Sequence, residues 1–192
     1  STILLFKIFS RNTKIIIRES NTISKFYRAD NKIIYILEYL YRIFYNLADV
    51  IISPSNGVKK NLVKKFGIKK SKIQVIYNPV DIDLIYSLSK ISIQNDDLKL
   101  FDKPTIISVG RLTYQKNLHF LIKCFSEINI KNNFNLIILG EGSKKKELNE
   151  LILNLKQTNS IFLLGFKKNP FQYLIKSKAL FLTSLWEGMP NV

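Results

Sequence analysis

The 192-residue chain has a single cysteine, a single histidine and a single tryptophan. The lone Cys124 excludes an intramolecular disulfide framework and fits a reducing compartment, and its helical apolar surroundings favour buried packing. One Cys and one His also leave a zinc site without support. His119 falls on the polar side of a helical pattern, and no serine or cysteine nucleophile can be paired with it.

Acidic residues are few, with 14 Asp and Glu against 30 Lys and Arg, so the net charge is +16. Such an excess suggests an anionic partner, whether nucleic acid, a phosphorylated substrate or an acidic membrane face. Most of the cations are lysines, and they accompany many Ile and Asn residues. Because an AT-rich genome produces the same bias, the charge alone leaves the partner open.

Apolar runs of membrane-spanning length are also lacking, although hydrophobic residues make up 46% of the chain. Residues 31–47 form the longest apolar helical pattern, but it is too short to cross a bilayer, and Glu38 and Arg42 interrupt it. We expect burial between a sheet and neighbouring helices, with membrane-surface contact as the alternative. No signal-peptide cleavage site follows the opening apolar run. The chain begins without Met and ends after a glycine-proline turn, so we expect a piece of a longer protein.

Short apolar strands alternate with helical patterns throughout the chain, which predicts an α/β fold with parallel sheets covered on both faces. The predicted strands of the first half are 14–18, 49–53 and 72–77, and those of the second half are 105–109, 134–139, 161–164 and 179–183. Between the strands of the first half, a helix places Val58, Leu62 and Phe66 on one face. Lysines cover the rest of that helix and the residues after it, and they form either a solvated face or a surface for anionic lipid.

Residues 84–103 lack a firm pattern, and Pro104 closes the stretch. We therefore expect three parts: a domain over 1–83, a linker over 84–103 and a second domain over 104–192.

Polar or glycine-flanked positions follow each strand of the second half. Ligands of parallel sheets bind at the carboxyl ends of the strands, so we expect Arg111, Glu141, Phe166 and Glu187 to meet at one edge. Gly110 permits close approach of a ligand, Arg111 offers a planar fork and Lys116 a point charge. The helix that follows adds N–H groups and a positive dipole end, so this turn is suited to an anion.

Two shorter motifs carry less weight. Gly140-Glu141-Gly142 follows a strand, as in a dinucleotide fingerprint, but Lys145 stands where the third glycine belongs and no acid follows at the usual distance. Asp81 and Asp83 have the spacing of a metal-diphosphate site, but helix capping or a solvated turn explains them better.

The ordered set of motifs resembles the family 4 glycosyltransferases, which are retaining enzymes of the GT-B architecture. The resemblance runs through Ala48–Ser55, Lys72–Asp81, Val109–Leu112 with Lys116, Leu139–Gly142, Leu164–Phe166 and Glu187–Asn191. It implies two Rossmann-like domains, both truncated here: the end of an acceptor-side domain and most of a nucleotide-sugar-binding domain.

The resemblance also implies a role for each matched residue. Arg111 and Lys116 would bind the donor diphosphate and stabilise the leaving group, and Glu187 would contact the sugar hydroxyls. The backbone near Phe166 would meet the base. The remaining donor contacts would come from Gly110, Gly188, Met189, Pro190 and Asn191. No divalent metal or other cofactor is expected, because the two cations take its place.

The implied partners are a nucleotide-sugar donor and a glycan or lipid-linked acceptor, in bacterial surface polysaccharide synthesis. The Arg18–Asn21 loop resembles a stretch of members with that role. A cytoplasmic location, with peripheral contact to an anionic membrane, would follow. The family's second glutamate falls three residues beyond Val192, so we expect these 192 residues alone to be inactive. A basic nucleic-acid-binding module and an inactive GT-B binding protein are the alternatives. Against the former, the clustered lysines lack interleaved aromatics for base stacking, so no nucleic-acid partner is expected.

Overall fold

The computed structural model describes residues 13–21, 32–93, 95–129 and 133–192. The opening apolar run and the first residue of the predicted helix 31–47 lie outside these ranges. The chain forms two compact units. One contains the described residues of Ser1–Pro79 together with Trp186–Asn191, and the other contains Val80–Leu185 and Val192.

The first unit is built on a three-stranded parallel sheet, as predicted. Its elements are β1 (Ile16–Arg18), α1 (Lys32–Leu47), β2 (Val50–Ser53), α2 (Asn56–Phe66), a short 3-10 turn (Lys70–Lys72) and β3 (Ile73–Val75). The strand order is β1-β2-β3, with Ile51 of β2 in register with Ile17 and Ile73. The strands are a few residues shorter than the apolar patterns that predicted them.

Helix α2 has the buried face that its sequence predicts. Val58, Leu62 and Phe66 are all buried and join the core of the first unit. The helix begins where the Ser55 hydroxyl accepts a hydrogen bond from the Val58 N–H, at 3.3 Å. It ends at Gly67, whose φ of 61° is the left-handed conformation that glycine adopts at little cost.

Helix α1 differs from the expectation of burial on all sides. None of its described residues is fully buried. Tyr41, Phe44 and Tyr45 pack partly against the core, whereas Ile36, Tyr39 and Ile43 remain 59%, 63% and 42% exposed. The expectation is wrong for the outer face because only one side of the helix packs on the small sheet.

The second unit confirms the alternation of strands and helices. Its elements are α3 (Ile82–Ser89), α4 (Asn95–Leu98), β4 (Thr105–Val109), α5 (Leu118–Asn129), β5 (Asn135–Leu139), α6 (Lys145–Asn154), β6 (Ile161–Gly165), α7 (Phe171–Leu174) and β7 (Ala179–Leu180). Short 3-10 turns cover Lys99–Phe101 and Tyr114–Lys116. All strand pairs are parallel, in the order β6-β5-β4-β7. Cys124 on α5 is half-buried rather than fully buried.

The last strand is shorter than the predicted 179–183. Ala179 and Leu180 pair with β4, and one more backbone bond joins Phe181 to Ile107. Residues 181–184 are not in a strand, and the Thr183 hydroxyl donates to the carbonyl of Lys116 at 3.0 Å. The apolar pattern predicted a longer strand because the residues that bind Thr183, Lys116 and Asn117, are distant in sequence and leave no local signal.

Residues of the predicted linker form helices that pack within the second unit. Ile93 is buried, and Phe101 packs 6.3 Å from the ring of Tyr173. The Asp97 carboxylate accepts hydrogen bonds from Lys167 Nζ at 2.7 Å and from the Tyr173 hydroxyl at 2.6 Å. Burial opposes ionisation of Asp97, but these two hydrogen bonds outweigh it and lower the pKa of the carboxyl. The domain boundaries themselves stay a prediction.

Candidate functional site

The carboxyl ends of β4, β5 and β6 are joined by backbone hydrogen bonds in the second unit. The Gly110 N–H donates to Leu139 O at 2.9 Å, and the Gly140 N–H donates to Gly165 O at 2.8 Å. The Leu112 N–H donates to Glu141 O at 2.9 Å. The amides of Gly110 and Leu112 are therefore already paired and are not available to an anion.

Gly140 and Gly142 allow these strand ends to approach one another. Gly140 has a φ of +142°, and a Cβ at this position would lie 1.9 Å from the carbonyl oxygen of Gly110. A Cβ on Gly142 would lie 2.4 Å from the carbonyl oxygen of Leu112. The two glycines of the incomplete dinucleotide pattern therefore serve close packing of backbone against backbone.

A groove with a cavity volume of about 630 Å³ lies along this edge. Three of the four strand-end residues predicted to converge line it: Arg111, Glu141 and Phe166. Its other lining residues are Val109, Gly110, Leu139, Gly140, Lys167, Lys168, Pro170 and Phe171. Phe166 is 74% exposed, so one face of its ring is available to a planar ligand.

Lys116 lies beside Gly110, as the spacing of the motif predicts. It ends the 3-10 turn Tyr114–Lys116, and Asn117 follows with a φ of 51°. A Cβ on Gly110 would lie 3.1 Å from Lys116 Cε and 3.6 Å from Nζ. The missing side chain of Gly110 thus makes room for the lysine, and the ammonium group lies at the end of β4 next to the position of Arg111.

Charged side chains follow each of the three strand ends at this edge. Arg111 and Lys116 follow β4, whereas the carboxylate of Glu141 extends toward the end of β6. A Cβ on Gly165 would lie only 2.8 Å from Glu141 Oε1. Lys145 pairs with the same oxygen at 2.8 Å. Lys167 and Lys168 follow β6 and also line the groove, so positive charge is present at both ends of this edge.

Lys167 is a lining residue whose side chain is held by its neighbours. The hydrogen bond to Asp97 raises the pKa of Lys167, so this ammonium group stays charged. Its Nζ lies 5.5 Å from the centre of the Tyr173 ring. Asp97 therefore neutralises part of the positive charge of Lys167 within the protein, whereas Arg111 and Lys168, which also line the groove, are exposed.

Sequence reasoning missed the residues that fix the Lys116 turn. Thr183 Oγ1 donates to the carbonyls of Lys116 and Asn117, at 3.0 and 3.2 Å. The Leu185 N–H donates to the carbonyl of the buried Gln115 at 2.8 Å. The partners are more than 60 residues apart in the chain, so no spacing pattern could reveal them.

The other predicted site residues lie in the first unit. Glu187, Gly188 and Met189 are half-buried there, and Pro190 and Asn191 are exposed. Their predicted donor contacts stay a prediction.

The predictions of helix capping or a solvated turn for Asp81 and Asp83, and of a polar helix side for His119, are confirmed. Asp81 caps α3, since its Oδ1 accepts a hydrogen bond from the Leu84 N–H at 2.9 Å, and Asp83 is exposed in the first turn of that helix. His119 is exposed on α5.

Two family models match this chain. The model described as glycosyl transferases group 1 matches residues 89–192, and the model described as glycosyltransferase family 4 matches residues 10–84. The chain belongs to the family 4 glycosyltransferases. An uncharacterized glycosyltransferase of Methanocaldococcus jannaschii is 41% identical over 98% of this chain and 47% of its own length. This family membership confirms the resemblance drawn from the motifs.

A second glycosyltransferase relative has a named reaction. The Campylobacter jejuni N-acetylgalactosamine-N,N'-diacetylbacillosaminyl-diphospho-undecaprenol 4-alpha-N-acetylgalactosaminyltransferase is 34% identical over 98% of this chain and 50% of its own length. Among solved structures, Anabaena HepE in complex with UDP aligns with a TM-score of 0.74 at 20% identity, covering 94% of this chain and 49% of that one. This likeness supports the GT-B fold. The chain spans about half the length of the curated relatives it matches.

Within the described part of this glycosyltransferase chain, no helix combines the length and apolar character needed to cross a membrane.

Proposed function

We propose that the chain forms part of a glycosyltransferase that moves a sugar from a nucleotide-sugar donor to a glycan or lipid-linked acceptor, with retention at the anomeric carbon. The observation that carries this proposal is the groove at the strand ends of the second unit. There, Arg111, Glu141 and Phe166 line one cavity, and Lys116 lies against Gly110. Family membership supports the same activity.

The positions of Arg111 and Phe166 in the groove favour one orientation of the donor. The diphosphate lies at the end of β4, where Arg111 provides a bidentate fork and Lys116 a point charge. The base lies toward β6, beside the exposed ring of Phe166. Glu141 is then placed to accept a hydrogen bond from the nucleoside.

Catalysis in this proposal depends on stabilising the departing nucleoside diphosphate. When the bond between the anomeric carbon and the diphosphate breaks, negative charge grows on the phosphate oxygen. Fixed cations at Arg111 and Lys116 stabilise that charge without needing to reorganise. The two side chains take the place that a divalent metal fills elsewhere, so the proposed reaction is metal-independent. The resemblance adds Glu187 and Gly188–Asn191 as contacts to the sugar.

The proposed acceptor is a sugar on a lipid diphosphate or a growing surface polysaccharide. Two relatives of this chain support this acceptor. The Campylobacter enzyme acts on a diphospho-undecaprenol-linked sugar, and an Erwinia amylovora relative, 28% identical over 99% of this chain, functions in amylovoran biosynthesis.

The outer helical layer of the first unit supports peripheral contact with an anionic membrane at the cytoplasmic face. Both connections of the parallel β1-β2-β3 sheet carry a helix, and right-handed crossovers place α1 and α2 on the same face. The exposed side chains of α1 include Ile36, Tyr39 and Ile43, and those of α2 include Lys60 and Lys64. An apolar stripe beside exposed cations is the composition that anionic lipid surfaces bind.

Reversing two of these charges tests the membrane proposal. The double variant K60E/K64E should bind phosphatidylglycerol vesicles at least about tenfold more weakly in a flotation assay, because each lysine near the surface contributes roughly 1 kcal/mol. The matched control K123E/K146E changes the net charge equally on exposed positions of the second unit. Equal flotation of K60E/K64E and the unchanged protein would contradict the proposal. It would also be contradicted if the unchanged protein bound neutral vesicles as strongly as phosphatidylglycerol vesicles.

Transfer with retention is tested on the product itself. The glycosyltransferase that contains this chain, rather than the 192 residues alone, is incubated with UDP-linked sugars of α configuration and an undecaprenyl-diphosphate-linked sugar, and the new linkage is examined by NMR. We expect an α linkage, and a rate that EDTA leaves unchanged. A β linkage would exclude retention, and loss of turnover in EDTA, restored by Mg²⁺, would exclude the metal-independent mechanism.

A further inference from the structure

The segment Trp186–Asn191 packs in the first unit against the loops that follow its three strands. After β1, the carbonyl oxygen of Ser20 would lie 2.2 Å from a Cβ on Gly188, so only glycine allows this approach. After β2, the Ser55 hydroxyl donates to the carbonyl of Gly188 at 2.8 Å. After β3, the Asn78 side-chain amide donates to the carbonyl of Met189 at 3.3 Å. Three separate loops therefore contact one short segment.

Ser55 is held rigidly for this contact. Its Oγ accepts the N–H of Val58 as the cap of α2, which fixes the position of the hydroxyl oxygen. The hydroxyl hydrogen remains free to be donated, and the carbonyl of Gly188 accepts it. The same hydroxyl thus starts a helix and fixes the backbone of the segment.

Asn78 is oriented by a charged neighbour. The guanidinium of Arg18 donates to Asn78 Oδ1 at 2.7 Å. Because the oxygen faces Arg18, the Nδ2 group of Asn78 points to the segment, where it donates to Met189 O and to Asn191 Oδ1 at 2.5 Å. Arg18 therefore orients the Asn78 side chain so that its NH2 group, and not its oxygen, contacts the segment.

The loop that carries Ser20 is itself fixed to the core. The N–H of Glu19 donates to Ile52 O at 2.9 Å, and the carboxylate of Glu19 accepts the Tyr45 hydroxyl at 2.7 Å. Burial, together with this hydrogen bond to a carboxylate, raises the pKa of Tyr45, so the hydroxyl keeps its proton and remains a donor. The surface that receives Gly188 is thus held by the sheet and by α1.

We infer that Ser55 and Asn78, with Arg18 behind Asn78, are positioning residues that hold the Gly188–Asn191 backbone in the conformation that contacts the donor sugar. This inference rests on the proposed function, which assigns the sugar contacts to that backbone. Neither side chain touches the nucleoside diphosphate in this scheme. Their loss should therefore weaken binding of a nucleotide sugar and leave binding of the free nucleoside diphosphate unchanged.

The sharpest variant is Asn78→Asp. A carboxylate still accepts from Arg18, but it offers no hydrogen to Met189 O, so this tie to the segment is lost while the Ser55 contact and the fold are kept. Trp186 is the chain's only tryptophan and lies in the segment, so its fluorescence reports release directly. Asn149→Asp, on an exposed position of α6, is the matched control, and Ser55→Ala is a second variant that removes the contact to Gly188.

Two measurements decide the inference in the full chain. Acrylamide quenching of Trp186 should increase in Asn78→Asp and Ser55→Ala and stay unchanged in Asn149→Asp. The second measurement is the affinity for a UDP-linked sugar (galactose, glucose or their N-acetylated forms) divided by the affinity for UDP. In Asn78→Asp and Ser55→Ala this ratio should fall about fivefold, which corresponds to one lost hydrogen bond. If the unchanged protein binds neither UDP nor another nucleoside diphosphate, the proposed function fails. If it binds UDP but quenching or the ratio is unaltered in Asn78→Asp, the positioning role alone is overturned.

Discussion

Replacing Arg111 by alanine is expected to weaken UDP binding by roughly tenfold to a hundredfold, because a charge-assisted hydrogen bond to phosphate contributes about 1.5–3 kcal/mol. The side chain is exposed at the end of β4, so its removal should leave the fold and the melting temperature nearly unchanged. Isothermal titration of UDP into the unchanged and variant proteins at one fixed salt concentration measures the effect.

Two further variants separate geometry from net charge at Arg111. Arg111→Lys keeps the positive charge but loses the planar guanidinium group. Its affinity for UDP should therefore lie between that of the unchanged protein and that of Arg111→Ala. Lys123→Ala removes one positive charge from an exposed position of α5 and should bind UDP as the unchanged protein does. If Lys123→Ala weakened UDP binding as much as Arg111→Ala, the effect would come from the overall charge of +16, and the proposed diphosphate site would be wrong.

Gly140→Ala is expected to destabilise the second unit severely, by on the order of 4 kcal/mol or more. The added Cβ would lie 1.9 Å from the carbonyl oxygen of Gly110, and the φ of +142° is strained for any residue with a side chain. Because backbone on both sides makes the contact, no side-chain rotation can relieve it. Urea unfolding followed by circular dichroism should show a lower midpoint or loss of the cooperative transition.

The same substitution at Gly57 is the control for Gly140. Gly57 lies in the first turns of α2, where the nearest atom to an added Cβ is Ser55 Oγ at 3.7 Å. Alanine favours the helix over glycine by up to about 1 kcal/mol, so Gly57→Ala should be neutral or stabilising. A Gly140→Ala protein as stable as Gly57→Ala would show that the strand ends do not meet as described.

Local patterns predicted the strands well where burial and spacing agree. The apolar run 105–109 is β4 in full, and the face of Val58, Leu62 and Phe66 is buried as expected. The glycine, arginine and lysine of 110–116 meet at one strand end because the turn between them is short. Such features depend on residues close in sequence, and the period of the pattern determines which side of the element is buried.

Features that depend on distant partners were not predictable. The outer face of α1 looks buried in sequence, because an apolar pattern does not tell which faces a small sheet can cover. Residues 84–103 showed no firm pattern, since their helices are short and held by contacts such as Asp97 with Lys167 and Tyr173. Contacts of Gly188 with Ser55 and Ser20 join residues more than 130 positions apart, and no local signal marks them.

Hydrogen–deuterium exchange with and without UDP tests the central claim, that the strand ends of the second unit bind a nucleoside diphosphate. We expect slower exchange on UDP addition in peptides that contain residues 109–117, 140–142 and 165–168, with exchange of the lysine-rich α2 unchanged. Protection of α2 with no change at those strand ends would mean that UDP associates with the lysine surface, and it would contradict the account.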